Sequence, residues 1–244
     1  MRLFGLIGYP LAQSFSKKYF DEKFSREGMT DCVFNNFPID TIAAFPRLLN
    51  EHPELEGLAV TIPYKQSVLA YLHEVNIPEG LNACNCIQIS KGRLTGYNTD
   101  YIGFEKSFTP LLSSHHTRAL VLGNGGATAA VIYVLRQLQI PYKIVSRQLH
   151  NGSSLTYDQV DAACIAEHTI IINTTPVGMY PHTEEFPLIP YTFITNRHLL
   201  YDLVYNPGRT LFLQKGEERG AQVKNGGDML VYQAEENWKI WTAR

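Results

Sequence analysis

The sequence predicts an α/β fold in two parts. Apolar strand-like runs alternate with helix-period segments from end to end, the pattern that builds parallel sheet covered by helices. The length of 244 residues fits one large domain or two modest ones at roughly 150 residues each. A glycine-rich turn between a strand and an Ala-rich helix opens a second series after about residue 100.

Arg2 to Ile7 is an apolar run ending at Gly8 and reads as the first strand. Phe15, Tyr19, Phe20 and Phe24 share one helical face. Cys32 to Phe37 is a strand, and Ile39 to Glu51 has helical spacing in which Pro46 argues for a break or a short helix. Leu58 to Thr61 is a strand, and Pro63 opens a helix expected to reach about Val75. Cys84 to Ile89 and Arg93 to Tyr97 flank Ser90-Lys91-Gly92, a hairpin turn.

The chain changes domain near Asn98 to Tyr101, giving 1–99 and 100–227, with a C-terminal helix at 228–244. The second series has a helix from Asp100 to about Leu112, a strand at Arg118 to Leu122 and a helix at Ala127 to Leu138. Strands follow at Tyr142 to Val145, Thr169 to Asn173 and Leu199 to Val204. Arg209 to Arg219 and Met229 to Trp241 are helices.

Composition excludes several classes of function. Hydrophobic residues at 45% and charged residues at 18% suit a folded core rather than a disordered chain. Lys plus Arg at 21 against Asp plus Glu at 23 gives a net charge of −2. That balance argues against nucleic acid and against an acidic membrane surface as partners. The apolar stretch before Gly8 is too short for a signal-peptide core, and no run approaches the ~20 residues of a membrane span, so a cytoplasmic location is expected. Cys84 and Cys86, at C-x-C spacing, would share a face in a strand. Cys32 and Cys164 add no matching pair for a zinc site, so reduced thiols and no metal are expected.

The strongest local signal is Gly123-Asn124-Gly125-Gly126-Ala127, entered from an apolar strand and leaving into a helix. Such a turn lets backbone approach a pyrophosphate at a helix N-terminus, although Thr128 stands at the third glycine of G-x-G-x-x-G. A turn whose glycines serve packing alone would read the same way. The next strand ends in Ser146-Arg147-Gln148 with no acid for a ribose 2′-hydroxyl. Arg147 suits a 2′-phosphate, so the pattern leans to NADP over NAD.

In the first half, Ser14 and Ser16 could offer hydroxyls to a small anion, or one of them could cap the following helix. Lys65, one turn into the helix expected at Pro63, is a cation where the helix dipole disfavours one, as a proton-transferring lysine needs. Asp100 either caps its helix or faces a cleft where it could pair with Lys65 and a substrate hydroxyl.

Eight segments in collinear order resemble the shikimate dehydrogenase family over essentially the whole chain. They are G-Y-P-L-A-Q-S-F-S at 8–16, A-V-T-I-P-Y-K at 59–65, N-A-C-N at 82–85 and G-Y-N-T-D-Y-I-G-F at 96–104. V-L-G-N-G-G-A at 121–127, I-N-T-T-P-V-G-M at 172–179, Y-D-L-V-Y-N-P at 201–207 and G-G-D-M-L-V-Y-Q at 226–233 complete the set. The resemblance implies an N-terminal α/β substrate domain and a C-terminal Rossmann-type NADP-binding domain with a cleft between them. The implied activity is reversible NADPH-linked reduction of 3-dehydroshikimate to shikimate, on the route to chorismate and aromatic amino acids.

By the same resemblance, Lys65 is the proton donor or acceptor with Asp100 beside it. Ser14, Ser16, Thr61, Asn85, Asp100, Tyr205 and Gln233 hold the substrate. Gly123, Asn124, Gly125, Gly126 and Ala127 hold the pyrophosphate, Ser146 and Arg147 the 2′-phosphate, and Leu203 and Gly226 lie near the nicotinamide. The C-terminal helix is expected to return to the first domain, and the assembly to be a monomer or homodimer. The chain departs from the family pattern at Lys17, Tyr19-Phe20, Ala59, Asn82, Cys86, Ser146 and Gln148. An NAD-using quinate/shikimate dehydrogenase and a non-catalytic dinucleotide sensor remain alternatives.

Overall fold

The computed structural model of the chain describes residues 1–11, 14–149 and 154–243. It divides into two units, Met1–Ile102 with Val231–Arg244, and Gly103–Leu230.

The first unit is a six-stranded mixed sheet in the order β2-β1-β3-β5-β6-β4. Its strands are β1 (Arg2–Gly8), β2 (Cys32–Pro38), β3 (Leu55–Val60), β4 (Glu74–Asn76), β5 (Cys86–Ser90) and β6 (Arg93–Tyr97). β1 lies parallel to β2 and β3, whereas β5 runs antiparallel to β3 and β6. Alternation along β1 sends Leu3 and Ile7 to one face and Phe4 and Leu6 to the other. Helix α2 (Phe45–Glu51) covers the first face with Phe45 and Leu48. Helix α1 (Phe15–Glu27) brings Phe20 and Phe24 to the second. The C-terminal helix α7 (Gly227–Thr242) adds Ala234 and Trp241 there, and the Trp241 indole donates to the Ile87 carbonyl at 3.0 Å.

Two local expectations are corrected in this unit, at Pro63 and at Cys84/Cys86, and the short helix expected around Pro46 is found. No α-helix opens at Pro63: the chain turns through Ile62 to Gln66 into a 3₁₀ helix at Ser67–Tyr71 and then enters β4. Buried Tyr64 donates its hydroxyl to the Ile39 carbonyl at 2.5 Å, a long-range anchor that overrides local helix propensity. The helical spacing at Ile39–Glu51 resolves into a 3₁₀ turn at Ile42–Ala44 and α2, and Pro46 sits in the first turn, where its missing N–H costs nothing. Cys84 and Cys86 do not share a face, because Cys84 precedes β5 and packs with Leu58 and Ile87, while Cys86 packs with Ala59 and Trp241. The hairpin forms as expected, with Lys91 and Gly92 both at positive φ in a two-residue loop.

The second unit is a wholly parallel sheet ordered β12-β11-β10-β7-β8-β9. Its strands are β7 (Ala119–Leu122), β8 (Tyr142–Ser146), β9 (Leu155–Thr156), β10 (Ile170–Asn173), β11 (Leu199–Asp202) and β12 (Gln222–Lys224). Counted from the other edge, this is the 3-2-1-4-5-6 order of the dinucleotide-binding fold, with its switch point between β7 and β10. Helices α4 (Gly126–Gln137), α5 (Ala162–Glu167) and α6 (Leu211–Glu217) flank it, Ile165 and Phe212 packing on Leu120, Ile171 and Leu200. From α3 (Asp100–Phe108), Phe104 and Phe108 stack on each other and meet Tyr201 edge-on. Among the described residues, no helix is long and apolar enough to cross a membrane.

Candidate active site and dinucleotide pocket

In the first unit, four expected residues form one hydrogen-bonded group. Lys65 Nζ donates to Asp100 Oδ2 at 2.6 Å, and both side chains keep a minority of their surface exposed, 26% and 15%. Asn85 Nδ2 donates to Asp100 Oδ1 at 2.9 Å, and lies 2.9 Å from Thr99 Oγ1 and 3.2 Å from Gln233 Oε1. A carboxamide nitrogen carries two hydrogens, so three acceptors compete for them. The Gln233 contact is the longest of the three.

Backbone contacts place these side chains. Thr61 leaves β3 with its N–H on the Ile7 carbonyl at 2.9 Å, and its own carbonyl accepts the Tyr64 N–H at 3.0 Å. That turn carries Lys65, whose carbonyl accepts the Cys84 N–H at 2.7 Å. Asn85 follows, bound through its N–H to the Tyr97 carbonyl at 3.1 Å. The neighbour that matters to Lys65 is a carboxylate rather than a helix N-terminus.

Asp100 does not cap α3. Asn98 Oδ1 accepts the N–H groups of Asp100 and Tyr101 at 3.1 and 3.4 Å, while its Nδ2 donates to the Ala83 carbonyl at 2.7 Å. Asn98 is the cap, which leaves the Asp100 carboxylate to Lys65 and Asn85. Ser14 does cap α1, accepting the Lys17 N–H at 3.1 Å, and still has a hydroxyl hydrogen to give. Ser16 lies in the first turn of α1, and Lys17 pairs with Asp21 at 2.7 Å. Ala12 and Gln13 of the same segment lie outside the described residues.

The second unit holds a different kind of site. Gly123 ends β7 at φ +109°, and a Cβ there would stand 2.7 Å from Thr175 Cγ2 and 2.8 Å from Thr174 Oγ1. Only glycine fits both that conformation and that approach. A Cβ at Gly125 or Gly126 would meet nothing within 4 Å, so the turn presents open backbone at the start of α4. Ala127 is the next residue of that helix. Thr128 replaces the third glycine usefully. Its hydroxyl receives the Gly125 N–H at 3.0 Å and lies 2.8 Å from Thr174 Oγ1, tying the turn to the end of β10.

This turn is one wall of a pocket of about 950 Å³ at the sheet's switch point. Gly123, Asn124, Gly125, Ser146 and Arg147 line it, as do Tyr157, Asp158, Thr174, Thr175 and the 184–188 segment. Burial pushes the Tyr157 phenol up, while the nearby Arg147 charge opposes that. Ser146 donates to the Gln148 carbonyl. Leu203 and Gly226 are in contact, since a Cβ on Gly226 would fall 2.2 Å from the Leu203 oxygen. Tyr205 is half-buried, and burial pushes its phenol up.

Several participants carried no functional assignment from sequence. Thr99, Asn98, Thr128, Thr174 and Thr175 lie inside or beside motifs, yet their roles depend on partners 14 or more residues away for Thr99–Asn85 and Thr128–Thr174. Asp158 lines the Arg147 pocket from a 3₁₀ turn at Tyr157–Gln159. Cys84 is buried and its thiol is pushed up to about 12 by desolvation, so it is no nucleophile at neutral pH. Among the described residues, no three His, Cys, Asp or Glu side chains gather to hold a metal.

Comparison with known proteins supplies names for these arrangements. Residues 6–87 match the family model of the shikimate dehydrogenase substrate binding domain. The chain is 35% identical to the shikimate dehydrogenase (NADP(+)) of Methanococcus maripaludis, over 99% of this chain and 92% of that protein. The structure resembles shikimate 5-dehydrogenase from Thermus thermophilus in complex with NADP(H) and shikimate, with a TM-score of 0.86 at 27% identity, covering 99% of this chain and 94% of that one. It also resembles quinate dehydrogenase from Corynebacterium glutamicum in complex with NAD, with a TM-score of 0.86 at 25% identity, covering 99% and 93%.

Proposed function

This chain belongs to the shikimate dehydrogenase family, and we propose from that premise that it interconverts 3-dehydroshikimate and shikimate with NADP(H). The observation that carries the reading is the Lys65–Asp100 contact at 2.6 Å, braced by Asn85 inside the unit that the substrate-binding family model matches. Bound NADPH supplies the hydride. As the ketone carbon is reduced, negative charge grows on its oxygen, and the Lys65 ammonium neutralises it and delivers the proton from Nζ. In the other direction Lys65 receives that proton from the substrate hydroxyl.

Asp100 orients the ammonium through Oδ2 and accepts a hydrogen bond from the neighbouring ring hydroxyl. Asn85 and Gln233 offer amide groups to the ring hydroxyls, with Thr61 and Tyr205 as further contacts. Ser14 and Ser16 take the substrate carboxylate. On the cofactor side, Gly123, Asn124, Gly125, Gly126 and Ala127 hold the pyrophosphate, supported by the open space above Gly125 and Gly126. Ser146 and Arg147 hold the 2′-phosphate end, and Leu203 and Gly226 flank the nicotinamide. A cytoplasmic location fits four buried free thiols, and sedimentation of the purified protein tests the monomer or homodimer expected.

A second reading has one observation in its favour. Asp158 shares the pocket with Arg147 and is an acid of the kind that a ribose 2′-hydroxyl of NAD prefers. Turnover of shikimate and of quinate with NADP⁺ and with NAD⁺, followed by reduced-nicotinamide absorbance, decides between them. Faster turnover of shikimate with NADP⁺ is expected; preference for NAD⁺ would move the 2′-phosphate assignment away from Arg147.

A further inference from the structure

Asn237 lies one turn beyond Gln233 on α7 and is 1% exposed. Its Oδ1 accepts the hydroxyl hydrogen of fully buried Thr99 at 2.6 Å, while its Nδ2 is buried with no hydrogen-bond partner. A hydroxyl has one hydrogen to give. Spent on Asn237, it leaves the Thr99 oxygen as an acceptor for Asn85 Nδ2 at 2.9 Å. The competing direction, donation to Asn85 Oδ1, spans 3.3 Å, and that oxygen already accepts the Thr99 N–H at 2.6 Å. Asn85 is thereby held with its nitrogen edge toward Asp100 Oδ1.

We infer that Asn237 is a positioning residue for this site: its carbonyl fixes the Thr99 hydroxyl, which fixes the amide face that Asn85 turns to Asp100, whose other oxygen holds Lys65. The unpaired half of the Asn237 amide separates this role from packing. A buried donor without a partner weakens a fold, so an apolar isostere relieves that cost while removing the acceptor. Stability and site geometry therefore respond in opposite directions. The kinetic side of the inference rests on the function proposed above.

The test is a cycle of Asn237→Leu, Thr99→Val and the double variant, with Asn237→Ala as a smaller replacement that decides the cycle should leucine alone prevent folding. Asn237→Leu is expected to lower kcat for shikimate about tenfold, with cofactor KM unchanged and Tm at or above wild type. The double variant is expected to be no slower than the worse single one, because both changes cut the same path. A neutron crystal structure of the Asn237 variant is expected to show the Thr99 hydroxyl deuterium turned to Asn85 Oδ1. Wild-type kcat in the variant, losses that multiply in the double, or Tm falling together with kcat would overturn the inference. If wild type does not turn over shikimate, the functional reading falls, and the crystal structure still decides: an unmoved Thr99 hydroxyl and Asn85 amide would sink the positioning role.

Discussion

The first unit makes its candidate site from side chains that hold one another, whereas the second makes its own from backbone that leaves room. Lys65, Asp100, Asn85, Thr99 and Gln233 are linked through bonds of 2.6 to 3.2 Å. In the pocket of the second unit, Gly125 and Gly126 contribute open space. A substitution in the linked group propagates to its neighbours. One in the open turn acts on whatever enters it.

Asp100→Asn strikes the linked group hardest. It keeps an acceptor but removes the charge that faces Lys65, and a kcat loss of about 10²-fold is expected in steady-state assays, with melting behaviour near wild type. A loss confined to KM would show that Asp100 binds without orienting the ammonium. On the other unit, Arg147→Ala should reduce the NADP⁺ to NAD⁺ ratio of kcat/KM by about 10–100-fold, the worth of charge-assisted hydrogen bonds to a 2′-phosphate. An unchanged ratio would move selectivity to other pocket residues.

Two glycines sharpen the contrast within one turn. Gly125→Ala should leave stability alone and weaken NADP⁺ binding about tenfold by calorimetry, since its Cβ enters only the open space. Gly123→Ala should also cost about 1–3 kcal/mol of stability, because it meets Thr174 and Thr175 at a positive φ. Equal stability for the two would contradict the geometry.

The smallest expected effect is a pH dependence in the second unit. Asp202 is buried at the end of β11, and desolvation raises its carboxyl to about 6 despite hydrogen bonds from Thr210, Val204 and Asn173. The folded state thus holds a proton that the unfolded chain releases near its ordinary value of 3.8. Its stabilising contribution is complete below that pH and is lost as pH rises through about 6. Asp202→Asn should remove this dependence: on going from about pH 7 to about pH 5, wild type should gain roughly 1.3 kcal/mol relative to the variant. Parallel melting curves for the two proteins would place the carboxyl near its ordinary value.

Much of this was legible in the residue pattern. Strands and helices alternate where apolar periodicity placed them, and the glycine turn sits between β7 and α4 as its composition indicates. Strands of two or three residues, β4, β9 and β12, are too short to show a period. Lys65 was identified for a local reason that the fold replaces: Tyr64 is drawn to a carbonyl 25 residues away, which makes a turn where Pro63 suggested a helix. Asn98, rather than Asp100, caps α3, a distinction that only side-chain geometry resolves. Asn237 had no signal, because its partner Thr99 is 138 residues distant and neither residue type is unusual at its position.

The most direct measurement compares wild type with Lys65→Ala in shikimate oxidation by NADP⁺, with shikimate affinity measured by calorimetry on both. Turnover falling about 10³-fold while affinity changes only a few-fold is expected if Nζ carries the proton. Lys65→Ala that turns over near the wild-type rate would contradict the assignment of proton transfer to this residue.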